Sequence, residues 1–187
     1  VRTNELLRLR QLHLLTVADV REFGLLGALC KHKKIPRISL AFLIEWSPDI
    51  LLLPIGHPAT SCTPLHYAAK SSISNFRFLL EYIIQYYPYK TGINFLFRNG
   101  NMHNNGNYTP FSLACENFER QPVVDVVEDV LTQYSDTTPI NTIEALVLAA
   151  TDPTVHVECL YFLIQRQPDI LNSSSNSSQG VIAPSAL

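Results

Sequence analysis

Cysteine pairs, charge and long hydrophobic runs are all scarce in this chain, and each scarcity excludes something. Of the four cysteines, Cys30, Cys62, Cys115 and Cys159, no two stand as C-x-x-C, and none sits in a His or Cys cluster. That spacing argues against a zinc site or a disulfide framework and leaves buried free thiols as the simpler reading. Charged residues make up 16% of the 187, and the net charge is −2. No global basic field draws the chain to nucleic acid. No apolar run reaches the length of a membrane span. Leu6–Leu15 is interrupted by Arg8, Arg10, Gln11 and His13, unlike a secretory signal. A Gly-rich phosphate loop, a serine nucleophile elbow, an H-E-x-x-H and a Cys/His dyad signature are also missing. The expectation is an intracellular protein that is not an enzyme and needs no cofactor or metal. Its first residue is Val, so a processed or partial piece of something longer is expected.

What is present is apolar material, 47% of the chain, enough for a continuous core. The charge is uneven. Residues 1–40 hold eight Lys/Arg against three Asp/Glu, and the rest holds six against thirteen. Ordinary solvated surface accounts for this, and so do different neighbours at the two ends. The strongest pattern is a repeat. FLIEWSPDIL (Phe42–Leu51) returns as FLIQRQPDIL (Phe162–Leu171), with seven of ten positions identical at an offset of 120 residues. A third copy, YIIQYYPYKT (Tyr82–Thr91), keeps the isoleucine and the proline 40 residues after the first. Proline there cannot continue a helix, so each copy reads as a helix with a fixed stop.

Upstream of the stops lie short apolar segments ending in small residues: GLLGALCKH (Gly24–His32), CTPLHYAAK (Cys62–Lys70), YTPFSLACE (Tyr108–Glu116) and IEALVLAAT (Ile143–Thr151). Small residues let neighbouring helices approach. Thr-Pro at the front is helix-start chemistry, with threonine as cap and proline in the first turn. Second helices are expected at Pro36–Ser47, Asn75–Tyr87, Pro122–Tyr134 and Pro153–Gln167, with apolar positions at helical spacing. The pattern is helix, turn, helix, stop and loop, four times over: an all-α stacked array. Its units fall at about 23–57, 58–103, 104–140 and 141–171, after a capping segment at 1–22. In that cap, Leu7, Leu9, Leu12 and Leu14 suit a strand, while Leu6, Leu9 and His13 suit a helix. Residues 172–187 read as a Ser-rich loop leading into a further unit. Pro168 to Pro184 repeats the 16-residue interval of Pro48 to Pro64.

Thr63-Pro64-Leu65-His66-Tyr67-Ala68-Ala69 resembles the T-P-L-H-x-A-A signature of ankyrin repeats, and Asn104–Phe111, with Thr109-Pro110, resembles the turn that precedes it. The first and fourth units lack the signature. Units of 35–46 residues exceed the family's period of about 33. P-D-I-L replaces the usual G-A-D or G-A-N, an ending similar to divergent ankyrin-like proteins of diatoms and related algae. A period near 40 also fits HEAT or armadillo arrays, although T-P-L-H argues against them. The resemblance implies a helix-turn-helix solenoid that grips a partner protein through its concave face and loop fingers. It also implies that His66 is structural, bonded near the threonine and the neighbouring turn.

Other candidates are fewer. Asp125, Glu128 and Asp129 form an acidic helical run, and Glu119-Arg120 lies in an inter-helix turn; solvent exposure suits both better than acid–base work. Sequons at Asn107, Asn172 and Asn176 come freely from Asn/Ser-rich loops. The insertion TGINFLFRNGNMHNNGN (Thr91–Asn107) carries alternating Phe95, Leu96, Phe97 and Arg98, then Asn99-Gly100, a type I′ hairpin signal. Phe95, Phe97, Arg98, Met102 and His103 are therefore candidates for a partner-binding anchor. The competing reading folds Phe95 and Phe97 back onto the chain's own core. The expected role is a scaffold or adaptor for protein partners, with no nucleic acid and no membrane span. The alternatives are a permanent subunit of a large assembly and the repeat part of a longer enzyme.

Overall fold

Threonine followed by proline sets two of the helix starts, and pairs of antiparallel-patterned apolar segments supply the rest. In a computed structural model of the chain, the described residues are 3–33, 36–55, 61–87, 91–102, 106–135, 142–151, 153, 155–166 and 168. They are all-α apart from one short hairpin. Helix α1 (Thr3–Gln11) and helix α2 (Val17–Glu22) form the front end. Then come the pairs α3 (Leu25–Cys30) with α4 (Arg37–Trp46), and α5 (Pro64–Ser71) with α6 (Ile73–Tyr86). After α7 (Thr91–Asn94), a 3-10 turn (Phe95–Phe97) and strands β1 (Gly100–Met102) and β2 (Gly106–Tyr108), the pairs resume. These are α8 (Pro110–Phe118) with α9 (Arg120–Ser135), and α10 (Thr142–Thr151) with α11 (Glu158–Arg166). None of these helices is long and apolar enough to cross a membrane.

The caps explain the starts. Thr109 Oγ1 accepts from the Ser112 N–H at 3.0 Å while Ser112 Oγ accepts from the Thr109 N–H at 3.0 Å, a reciprocal capping box with Pro110 in the first turn. Helix α5 uses Thr63 and His66 in the same way. At the front, Thr16 and Asp19 form a third box, and Leu6 buries against the core, so the ambiguous first segment is helical.

First helices α3, α5 and α8 pack side by side, and second helices α4, α6 and α9 line up behind them. Ala68, Ala69 and Ala114 are fully buried where these rows meet, and Leu40, Leu43, Leu65, Phe76, Leu79 and Ile83 fill the space between. In the first unit the close approach belongs to Gly27, where an added Cβ would lie 1.7 Å from Ile55 Cδ1; Ala28 faces outward. The repeated Pro48–Leu51 is a 3-10 turn that buries Ile50 and Leu51. That burial accounts for the apolar pair at the stop. Of the second copy, Ile170 and Leu171 lie outside the described residues, as do 172–187.

The fourth pair departs from the simple row. Helix α10 packs on α7, and α11 packs on the 3-10 turn at Phe95–Phe97. Arg98 bridges Val155, and the His156 N–H donates to the Phe97 carbonyl at 2.8 Å. The insertion therefore wedges between the first three pairs and the fourth. Two expectations are corrected here. Asn99-Gly100 is not the hairpin turn: β1 begins at Gly100, pairs Gly100 with Tyr108 and Met102 with Gly106, and so places the connection at residues 103–105. The fourth second helix starts at Glu158, not Pro153. Residues 155–157 pair with the insertion instead of coiling.

Between α8 and α9 the chain turns at Glu119, with φ 67° and ψ 155°. That region suits glycine almost alone and costs a side-chain-bearing residue about 1–3 kcal/mol. Glu119 is exposed, so no contact of its side chain offsets the cost. Glu119→Gly is expected to stabilise the chain by about 1 kcal/mol after the added unfolded-state entropy, read as a higher Tm.

Candidate functional site

His66 is the one buried imidazole with a complete set of partners. Its Nδ1 lies 3.1 Å from the Thr63 N–H and 3.0 Å from Thr63 Oγ1, and its Nε2 lies 3.2 Å from the Tyr108 carbonyl. An acceptor facing an amide and a donor facing a carbonyl define the neutral Nε2–H tautomer. The residue is 0% exposed. Burial lowers its pKa to about 4, against the Tyr108 and Arg98 carbonyls, which pull the other way. Gly100 passes so close that an added Cβ would sit 2.4 Å from Nε2. The ring thus ties the start of α5 to the hairpin in front of α8. Both nitrogens are occupied by backbone and none faces solvent, an arrangement for joining units and not for moving protons.

The structure separates the proposed anchor residues. Phe95 is 4% and Phe97 0% exposed, so both belong to the chain's own core, and their reading as surface anchors is corrected. The reason is the fourth pair: Phe97 lies between Phe111 at 5.3 Å and Phe162 at 5.4 Å, centroid to centroid. Arg98 is half-buried, with its guanidinium 5.2 Å from the centre of the Phe95 ring. Met102 ends β1, and His103 lies outside the described residues.

The acidic run on α9 is divided among separate partners. Asp125 accepts from Gln121 Nε2 at 2.7 Å, Glu128 pairs with Arg166, and Asp129 pairs with Arg77 at 3.2 Å. Arg120 reaches Glu158 at 3.7 Å. These bonds fasten α9 to α6 and α11, and no two of the carboxylates act on one point. Burial pushes the thiols of Cys30 and Cys159 up to about 12, so neither is a ready nucleophile. Among the described residues no group of three or more His, Cys, Asp or Glu converges on a metal position.

The site that the sequence did not announce lies on the outward face of the first-helix row. A cavity of about 420 Å³ opens between α3 and α5, lined by Lys31, Lys33, Tyr67, Lys70 and Ser71. Its frame is built from buried polar groups. Ser71 Oγ donates to the Cys30 carbonyl at 2.5 Å, and Asn75 Nδ2 donates to the His32 carbonyl at 3.3 Å. These are carbonyls at or beyond the end of α3, which an ordinary helix leaves unpaired. Satisfying them fixes the turn from which Lys31 and Lys33 project. Lys31 Nζ stands 4.7 Å from the centre of the Tyr67 ring, a cation–π contact. Lys31 and Lys70 occupy equivalent places, each in or just after the last turn of its helix, 39 residues apart. A second hollow of about 340 Å³, lined in part by Leu52, Ser61, Thr63, Arg98 and Asn99, lies on the hairpin side.

Comparison with protein-family models, with curated proteins and with solved structures found no match to this chain.

Proposed function

We propose that this chain is an ankyrin-like solenoid acting as a non-catalytic scaffold or adaptor, which holds a protein partner on the outward face of α3, α5 and α8. The observation that carries the reading is the T-P-L-H segment in its setting. Thr63 and His66 cap α5, and the same imidazole reaches Tyr108 at the entrance to the next unit. A residue that caps one unit and bonds the next is what a stacked array needs, since no single unit buries its own apolar face. The preformed cavity between two such helices supplies a place to grip.

A second reading, a permanent subunit of a larger assembly, is favoured by one observation. Large apolar side chains are exposed at both ends of the row: Leu12, Leu14, Phe23 and Ile38 at the front, Val147 and Tyr161 at the back. Native mass with cross-linking in a gentle extract of the source decides between them. A mostly free chain with substoichiometric cross-linked proteins is expected for the adaptor. A single heavy species of fixed composition would replace that reading with the subunit, and a free chain with no cross-linked neighbour would remove both.

A further inference from the structure

We propose that the lysine-rimmed cavity between α3 and α5 receives a short acidic segment of a partner protein. The inference rests on the reading of the chain as a protein-binding module and adds the chemistry that one part of its surface takes. At about 420 Å³ the cavity has the size of an ordinary ligand pocket. Three ammonium groups, from Lys31, Lys33 and Lys70, stand on it, and among the described residues none is paired with a carboxylate. A concave site lined by one sign of charge concentrates its field and draws the opposite charge in.

The lysines are also held in place. Ser71 and Asn75, both buried, fasten the Cys30 and His32 carbonyls, so the turn between them is set before any ligand arrives. Such pre-organisation cuts the ordering cost of binding. The remaining wall is the half-buried Tyr67 ring. Cations beside an apolar wall match a segment in which carboxylates alternate with aliphatic side chains.

The neighbours limit what fits. Helix α8, next in the row, presents exposed Glu116, and Glu119 follows at its end. A phosphate chain running along the row would meet that negative charge, whereas nucleic-acid binders carry a continuous basic stripe. The Tyr67 face is already covered by Lys31 and is not free to stack a base. The same glutamates explain why the acidic segment is short, since it has to end before α8.

The test is fluorescence anisotropy with a labelled peptide of alternating glutamate and leucine. The controls are its glutamine counterpart and a single-stranded oligothymidylate of equal charge. The acidic peptide is expected to bind, and raising salt from about 50 to about 500 mM is expected to weaken it. Each of Lys31→Gln, Lys33→Gln and Lys70→Gln is expected to cost about two- to fivefold in affinity, and the three together about thirtyfold, at unchanged Tm. The triple Lys→Arg variant keeps the charge and is expected to keep binding. Equal binding of the acidic and neutral peptides, equal binding by the triple Gln variant, or tighter binding of the oligonucleotide overturns the proposal. Cross-linking both chains in a gentle extract separates the two readings. Neighbours kept unchanged by the triple Gln variant sink the acidic-segment site and leave the module standing, whereas a wild-type chain with no neighbours removes the module itself.

Discussion

His66→Ala is expected to destabilise the chain by about 3–4 kcal/mol, read by denaturant unfolding at neutral pH. The change removes the acceptor of the Thr63 N–H and the donor to the Tyr108 carbonyl. Each buried backbone group left unpaired costs about 1–3 kcal/mol, and a lost N-cap partner adds to that. His66→Gln separates the two halves of the role. Glutamine three residues after a threonine completes an ordinary capping box, so the bond inside α5 survives, and the bond to Tyr108 is lost because the shorter amide does not reach across the hairpin. A cost of about 1–2 kcal/mol is expected for Gln. If Ala and Gln are equally mild, below about 0.5 kcal/mol, the imidazole is not the joint between units.

The same ring makes stability depend on pH. Its folded pKa is lowered from 6.5 to about 4 by burial, so the folded state resists the proton that the unfolded state accepts. The stabilisation is therefore fully present above pH 6.5 and is lost as pH falls towards about 4. Two and a half pKa units correspond to about 3 kcal/mol. Carboxylates also titrate towards the lower end of that window. The informative quantity is thus the difference between wild type and His66→Gln, which is expected to shrink as pH falls through the window. A difference that stays constant from pH 7 to pH 4 would mean that the ring is protonated or solvated in the folded chain.

The helix pairs were legible because their signals are local. Thr63-Pro64 and Thr109-Pro110 cap within three residues, and the apolar positions of α6 recur at helical spacing over its whole length. The stop at Pro48 is equally local. The insertion misled for a physical reason. Asn99-Gly100 is the strongest short-range hairpin signal, yet glycine is required at position 100 for another purpose, the close passage of the strand over His66. Phe95-Leu96-Phe97 is too short an apolar run for periodicity to separate strand from 3-10 turn. Only the arrival of α11, more than 60 residues later, decides it. The lysine cavity was hidden because Lys31 and Lys70 meet through helix packing. In the sequence they register only as part of a basic first third and a lone lysine. Their 39-residue offset, the length of the first unit, is the signal that would have paired them.

Phe97→Ala tests how the fourth pair is held, and it is expected to act on one part of the molecule before the rest. Deleting a fully buried phenylalanine costs about 3–5 kcal/mol, and here the deleted ring sits between Phe111 of α8 and Phe162 of α11. Other fastenings of α10–α11 include the Arg166–Glu128 and Arg120–Glu158 pairs, the Arg98–Val155 bridge and the contact of α10 with α7. The ion pairs are partly exposed and worth little each. In an array whose units contact mainly their neighbours, lost interface energy releases the end unit first. Hydrogen exchange in Phe97→Ala is therefore expected to show α10 and α11 losing protection while α5 and α6 keep theirs, and unfolding is expected to split into two steps. Phe162→Ala should act in the same way, and the double variant should fall short of the sum of the singles by about 1 kcal/mol, the worth of an aromatic pair beyond its burial. Uniform loss of protection along the whole chain would show instead that the insertion is part of one indivisible core, with the fourth pair no more detachable than the second.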